Sequence, residues 1–388
     1  MVTEPPASRE SGWHWAPVGL FLLSLLPRLS ALVQGFVTPD EPIWVFRSFR
    51  FAQALAAHRW MDTFQIGHPG VLTMWMGALG IWWRQWRDPA GTAAHLAWID
   101  RVAWVTPDNG ELFRHLAAFL PAARLAMALF TSLGVVGVYL LAARLWDRRL
   151  ALAGAALLAL DPFAIGLSGL LHVDAPAATC MALSLLAWLC ALEAWHARAT
   201  VPPAALPARG LRALPMFAFA LCGGLCGGLS VLSKSPGVFI AAPTGLAALL
   251  FLVLRPLSCK RVGWVALLGG IWLLGAAAAL FTFPAMWVDP AAVMRGIYGL
   301  ADRQLDTAHR ISFFRGVSGG DPGPLFYPVV FLFRLTPAAL VGALLSFLPM
   351  LGGWRAGRPR GGRPGHGSGE MERPAVQAHR RRAILIVL

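Results

Sequence analysis

A chain of 388 residues that is 57% hydrophobic and only 13% charged, with a mean hydropathy of +0.60, lies outside the range of soluble globular domains. Its 33 basic residues against 19 acidic give a formal net charge of +14. No basic-aromatic module accompanies that charge, and the basic residues fall mostly between apolar runs, so membrane topology explains them better than nucleic acid does. The composition selects a polytopic membrane protein, and the fold expected is all-α.

In chain order, MVTEPPASRESGWHW (1–15) lacks the n-region and small-residue cleavage site of a signal peptide. The first apolar run is therefore expected to remain as an anchor, with 1–15 in the cytoplasm. A span needs about 20 predominantly apolar residues, and the sequence predicts spans over 16–37, 119–143, 150–168, 175–195, 214–233, 236–254, 263–284 and 325–351. The apolar segment PGVLTMWMGALGIWWRQW (69–86) forces a choice. If it spans, the basic clusters Arg144/Arg148/Arg149, Arg198/Arg209/Arg212 and Arg255/Lys260/Arg261 all fall outside. If it lies in the interface, all three are cytoplasmic, as the positive-inside rule requires, and Trp75, Trp82, Trp83 and Trp86 suit headgroup level.

Residues 38–118 then form one external loop with two amphipathic surface helices, at 42–58 and 70–86. A second external loop covers 285–324, and GLLHVDAP (169–176) and LSKSP (232–236) are short external turns. On this reading 16–352 is one transmembrane module and the Arg-rich stretch 353–382 a cytoplasmic loop. The terminal AILIVL (383–388), too short to cross, is expected to open a truncated further span. Cys180, Cys190, Cys222 and Cys226 lie in apolar runs and Cys259 in a basic loop, so no disulfide framework is indicated. Cys222 and Cys226 read as small packing residues beside Gly223, Gly224, Gly227 and Gly228.

The isolated polar groups all fall on the external side, which places a catalytic site there. Asp40 and Glu41 sit between Pro39 and Pro42 at the outer end of the first span. They read either as an N-cap and first-turn acid of the following helix or as reactive carboxylates. Lys234 is the one cation on its external turn, against the positive-inside trend, and so is a candidate anion site as well as a candidate snorkelling residue. Arg124 carries the same two readings. His68 opens the second surface helix, and Asp174 stands at a membrane edge. Acids and cations gathered on one face suit a reaction at a lipid phosphate, where a base activates an acceptor and cations hold the leaving group. His68, His172 and the acids lack close metal-ligand spacing.

In the order and spacing of these segments the chain resembles the family 39-type glycosyltransferases of the GT-C superfamily, which include protein O-mannosyltransferases and the aminoarabinose transferases of lipid A. The resemblance rests on PDEP at Asp40–Glu41, GHPGVLTMW from Gly67, LPAARLAMALF with Arg124, GLLHVDAP with Asp174, GGLSVLSKSPG with Lys234, FPAMWVDP from Phe283 and FFRGVSGGDPGPLFYP from Phe313. It implies a GT-C-type transmembrane helix bundle with two surface helices in the first external loop. It also implies an inverting transfer, free of metal or other cofactor, from a polyprenyl-phosphate-linked sugar to a hydroxyl of a protein, glycan or lipid. The setting it implies is a bacterial inner membrane, multi-pass, with the site facing the periplasm.

The roles implied are Asp40 and Glu41 in catalysis, Lys234, His68 and Arg124 on the donor phosphate, and Asp174, His172 and Tyr327 orienting substrate. Where relatives read two prolines preceded by Lys or His, this chain has His68-Pro69-Gly70, so the charge of His68 depends on pH. Coordination of a divalent cation by Asp40, Glu41 and Asp174, as in GT-C relatives with other chemistry, is the alternative to metal independence. A transporter or lipid-linked sugar flippase is the rival from another class. It predicts midplane charges and inverted repeats, and the sequence shows neither.

Overall fold

The computed structural model describes residues 13–33, 36–65, 69–200, 214–254, 258–306, 312–319, 322–337 and 339–344. The chain divides into two compact units, 1–309 and 310–388. Apolar runs become helices here because backbone groups away from water must find their partners within their own segment.

In the first unit, α1 (Ala16–Val33) carries Pro27, and α2 spans Glu41–Ala56. Then come α3 (Val71–Arg87), α4 (Pro89–Asp100) and α5 (Gly110–Ala117). The long helix α6 (Leu120–Leu145) is followed by α7 (Arg148–Leu160), α8 (Pro162–Ser168), α9 (Asp174–Thr200) and α10 (Leu214–Ser233). A 3-10 segment, Ser235–Ile240, leads into α11 (Ala241–Val253), and α12 (Cys259–Ala279) precedes the short α13 (Ala285–Val288) and α14 (Pro290–Asp306).

Among the described residues five helical segments are long and apolar enough to cross a membrane: Leu120–Leu145, Asp174–Ala199, Leu214–Ser233, Ser235–Val253 and Cys259–Thr282. The all-α, polytopic reading is thus what the structure shows.

The expected span 150–168 is not one helix. It breaks by 59° between α7 and α8. Pro162 has no N–H and pushes the preceding residue out of the α region, and Asp161 is extended (φ −64°, ψ 119°) with its side chain accepting from Ala164 N–H to start α8. The break leaves carbonyls of α7 without helical partners. Buried Arg28 of α1 donates to one of them, Ala159 O (3.1 Å), and also to Ser24 O and Ser168 Oγ, both at 2.6 Å. α10 is pressed against α9 and α12, close enough that a Cβ on Gly224 would lie 1.8 Å from the Trp272 carbonyl oxygen.

Among the described residues of the stretch 38–118 there are four α-helices where two were expected. α2 and α3 match the forecast ranges closely, and α4 and α5 are additional. Both have readable starts: Asp88 accepts from Gly91 N–H (3.0 Å), and Asn109 from Leu112 N–H (3.0 Å). α2 is more deeply buried than a surface helix, since Trp44, Val45, Phe46, Phe49 and Phe51 join Val71, Met74, Ala78 and Ile81 of α3 in one apolar core.

α3 does not cross the bundle. Gly70 N–H donates to Ser233 O (3.2 Å), Thr73 Oγ1 to His172 O (3.3 Å), Trp75 Nε1 to Thr282 O (2.8 Å) and Arg84 to Ala118 O (2.7 Å). Those partners sit at the end of α10, the turn before α9, the end of α12 and the start of α6. By chain alternation these are the same end of the bundle, so α3 lies across that end and leaves Trp82, Trp83 and Trp86 exposed. Arg144, Arg148, Arg198, Lys260 and Arg261 occupy the other ends of the same helices.

In the second unit, β1 (Ser312–Phe314) and β2 (Val317–Gly319) pair antiparallel about Arg315–Gly316, both at positive φ as a two-residue hairpin turn requires. This short hairpin was not read from the sequence. The forecast span 325–351 begins as α15 (Phe326–Arg334) and breaks at extended Leu335, before Thr336-Pro337; its portion 345–351 lies outside the described residues.

This arrangement fixes which positions share a side of the membrane. Trp86→Cys and Trp287→Cys should react together with a membrane-impermeant maleimide added to one side of sealed vesicles, and Arg149→Cys only when it is added to the other. Labelling of Trp86→Cys and Arg149→Cys from the same side would contradict the placement of α3.

Candidate active site

The site grows from the sequence TPDEP. Pro39 and Pro42 restrict the backbone so that Asp40 and Glu41 begin α2, with Trp44 N–H bonded to Asp40 O (3.0 Å). The Asp40 side chain makes no capping hydrogen bond and stands 61% exposed. The bland reading of Asp40 as a side-chain N-cap therefore does not describe its carboxylate.

Glu41 points the other way and is fully enclosed, at 0% exposure. Arg124, 3% exposed, donates from Nε to Oε1 and from a terminal nitrogen to Oε2, both at 2.7 Å. Glu41 also accepts from Leu171 N–H and Thr38 N–H, each at 3.1 Å, and from Thr38 Oγ1 at 3.3 Å, while Arg124 reaches Phe36 O at 2.7 Å. Burial pushes the Glu41 carboxyl upward, and the bonds from Arg124, Thr38 and Leu171 more than offset it, so its pKa lies below the ordinary value. Two expectations change here. Arg124, expected on a donor phosphate, directs its fork at Glu41, and Glu41, expected beside the reacting groups, is sealed from them. The physical reason is mutual: neither charge tolerates burial alone, and a bidentate pair satisfies both.

Asp40 instead meets the turn before α9. Its Oδ2 lies 3.2 Å from His172 Nε2, and His172 Nδ1 lies 3.4 Å from Asp174 Oδ2. Asp174 in turn forms an ion pair with Lys234. Four residues from three parts of the chain thus form one line, Asp40–His172–Asp174–Lys234, at the end of the bundle that α3 covers. The bond to Asp174 raises the His172 pKa; burial opposes it, and Asp40 adds to the rise. Protonated, the ring donates to both carboxylates.

Lys234 is 34% exposed, and one partner leaves donors of its ammonium for another ligand. It follows the end of α10 in extended geometry (φ −152°, ψ 135°) as the residue that caps the Ser235–Ile240 turn, with Pro236 two residues on. Beside it, Gly70 takes φ +58°, and a Cβ there would come 2.1 Å from the Trp44 ring. Only glycine lets α3 begin this close to α2.

Of the remaining expected residues, His68 lies outside the described residues. Tyr327 belongs to the second unit, on α15, where its side chain is exposed. Sequence reasoning overlooked Arg47, whose guanidinium lies 4.6 Å from the Trp44 ring centroid. Its spacing from Asp40 and Trp44, at i+7 and i+3, puts all three on one face of α2 and was the available signal. Among the described residues no three His, Cys, Asp or Glu side chains are grouped to hold a metal.

No protein-family model matches the chain, and no curated protein matches it. Among solved structures it is similar to the apo oligosaccharyltransferase of Archaeoglobus fulgidus, at 17% identity and a TM-score of 0.44. The match covers 94% of this chain and 40% of that one, so the chain spans about two-fifths of that protein's length. At that level of likeness, fold and site rest on the helices and side chains described above.

Two outcomes follow from the geometry. Arg124→Leu, which leaves Glu41 buried without its partner, should lower stability by roughly 3–5 kcal/mol, read as the denaturation midpoint of the detergent-solubilised protein; an unchanged midpoint would show the pair to be dispensable. The folded pKa of His172 is raised above its ordinary value of 6.5, so its stabilising contribution is complete below that value and is lost as pH rises through the folded pKa. The melting temperature of the wild type should therefore exceed that of His172→Gln most at about pH 6, and the gap should close as the medium becomes alkaline. A gap that widens with pH would reverse the sign.

Proposed function

We propose that the chain is an inverting glycosyltransferase that moves a sugar from a polyprenyl-phosphate-linked donor to a hydroxyl acceptor at the external face of a membrane, in a bacterium the periplasmic face of the inner membrane. The observation that carries this reading is the line Asp40–His172–Asp174–Lys234, which couples an exposed carboxylate to a partly exposed ammonium at one end of an apolar helix bundle.

The acceptor oxygen attacks the anomeric carbon, its proton passes to the Asp40 carboxylate, and the bond from that carbon to the phosphate oxygen breaks with its electron pair leaving on polyprenyl phosphate. A single in-line displacement inverts the anomeric centre. His172 holds Oδ2 of Asp40 and so presents the other oxygen to the acceptor. Lys234 stabilises the charge that develops on the departing phosphate, and Asp174 fixes the ammonium for that purpose. Glu41 and Arg124 do neither; they hold the backbone from which Asp40 and the His172 turn project.

Exposed apolar side chains favour a donor that arrives through the bilayer. Phe36 and Val37 precede the acid pair, Val238 and Phe239 follow Lys234, and all four are open to the surroundings. The mechanism needs no metal.

Purified protein in nanodiscs, given a panel of polyprenyl-phosphate sugars with a chelator present, should consume one of them. Asp40→Asn should slow that turnover by about 100-fold or more while still binding the donor. Turnover by Asp40→Asn at the wild-type rate would remove Asp40 from the mechanism.

A further inference from the structure

Arg47 is the buried cation that the mechanism above leaves without a task. It is 7% exposed on α2, and its Nε has no hydrogen-bond partner among the described residues. A guanidinium taken out of water without a carboxylate against it is costly, and among the described residues it meets aromatic faces and distant charge. It stacks on Trp44 at 4.6 Å and faces Trp104 at 6.0 Å. Burial pushes its pKa down to about 10, and Asp40, acting through space, partly restores it. It therefore remains a cation at neutral pH, fixed in direction by two tryptophans and lying on the same face of α2 as the exposed acid.

The surroundings tie this cation to the site. The Trp44 ring that carries it also packs on Gly70, and Gly70 N–H is bonded to Ser233 O, the residue before Lys234. Arg47 and the residue before Lys234 are thus connected through one ring and one backbone hydrogen bond. A guanidinium stacked by its face keeps its N–H edge for a ligand, and that edge matches two oxygens of a phosphate.

We infer that Arg47 is a binding residue for the phosphate of the lipid-linked donor, supplying the fork that Arg124 does not. The inference rests on the proposed reaction, and it assigns the phosphate two cations of different kinds, an ammonium from Lys234 held by Asp174 and a guanidinium from Arg47 held between aromatic rings. A buried arginine serving only as a spacer between tryptophans would be replaceable by an apolar side chain of similar length without effect on ligands.

Binding of farnesyl phosphate, farnesol and inorganic phosphate to the full chain in nanodiscs separates these cases. The wild type should bind farnesyl phosphate well above farnesol, and inorganic phosphate weakly. Arg47→Met should bind farnesol as the wild type does but lose about 10- to 100-fold of the preference for farnesyl phosphate, the range of a lost charge-assisted hydrogen bond. An undiminished preference in Arg47→Met overturns the assignment of Arg47 and leaves the proposed reaction standing. No preference in the wild type overturns the proposed reaction and this inference with it, and inorganic phosphate binding as tightly as farnesyl phosphate overturns the lipid-linked assignment. If Arg47→Met loses farnesol as well, Arg47→Gln, which keeps a polar head between the tryptophans, is judged by the same preference.

Discussion

The enclosed pair of Glu41 and Arg124 is the constraint on which the rest of the site depends. It ties the first turn of α2 to the first turns of α6, and through Leu171 N–H it also fixes the turn that carries His172 and Asp174. Three parts of the chain separated by up to 130 residues are thereby held by one carboxylate. A single neutral side chain could not do this, because only an ionised acid accepts so many hydrogen bonds while also compensating a buried guanidinium. The adjacent acids of the DE pair thus diverge in role because successive residues at a helix start point in different directions: Glu41 inward to the scaffold, Asp40 outward to water.

The charges at the exposed end are arranged in alternation. Asp40 and Asp174 flank His172, and Lys234 lies beyond Asp174. With His172 protonated the line is formally neutral, so the phosphate of the proposed donor would meet neither a strong excess of like charge nor an unopposed field. The separate cation on α2 then has a physical logic: Lys234 is already partly compensated by Asp174, whereas the guanidinium of Arg47 has only the remote attraction of Asp40. For the proposed reaction, in which an anion would be held and then released, one compensated and one less compensated cation serve better than two tightly paired ones.

Much of the fold was legible because membrane burial imposes strong patterns. The spans of α6, α9, α10 and α12 followed from apolar length, and the placement of 69–86 across the bundle end followed from basic residues alone. What failed were features set by local breakers inside apolar runs. Pro162 and Pro337 interrupt segments whose hydropathy reads as continuous, and α4 and α5 begin at Asp88 and Asn109 caps that a search for apolar runs passes over. Within the site, Asp40, His172, Asp174 and Lys234 were named from the sequence and stand together. That Arg124 binds Glu41 was not legible, since both residues carried other sound readings and only packing reveals that they face each other. Arg47 was hidden for the opposite reason, lying in a run, FRSFRF, that looks like an ordinary amphipathic surface.

The break at Asp161 gives the same lesson in another form. A continuous helix over 148–168 would satisfy its own backbone and leave Arg28 of α1 without the Ala159 carbonyl and the Ser168 hydroxyl that receive it. The bend therefore costs helical hydrogen bonds in one place and supplies acceptors to a buried cation in another. It also opens a cavity of about 190 Å³ bounded by Thr131, Val135, Leu158, Phe163 and Ala178, with Arg28 and Ser168 at its wall. α8 is released from the axis of α7 by this bend, and the chain reaches Leu171 and His172 only a few residues beyond it. The position of the turn that carries His172 is thus set from two sides, by Glu41 accepting from Leu171 N–H and by the bent helix that delivers it, and either tie alone would leave the histidine free to leave Asp40.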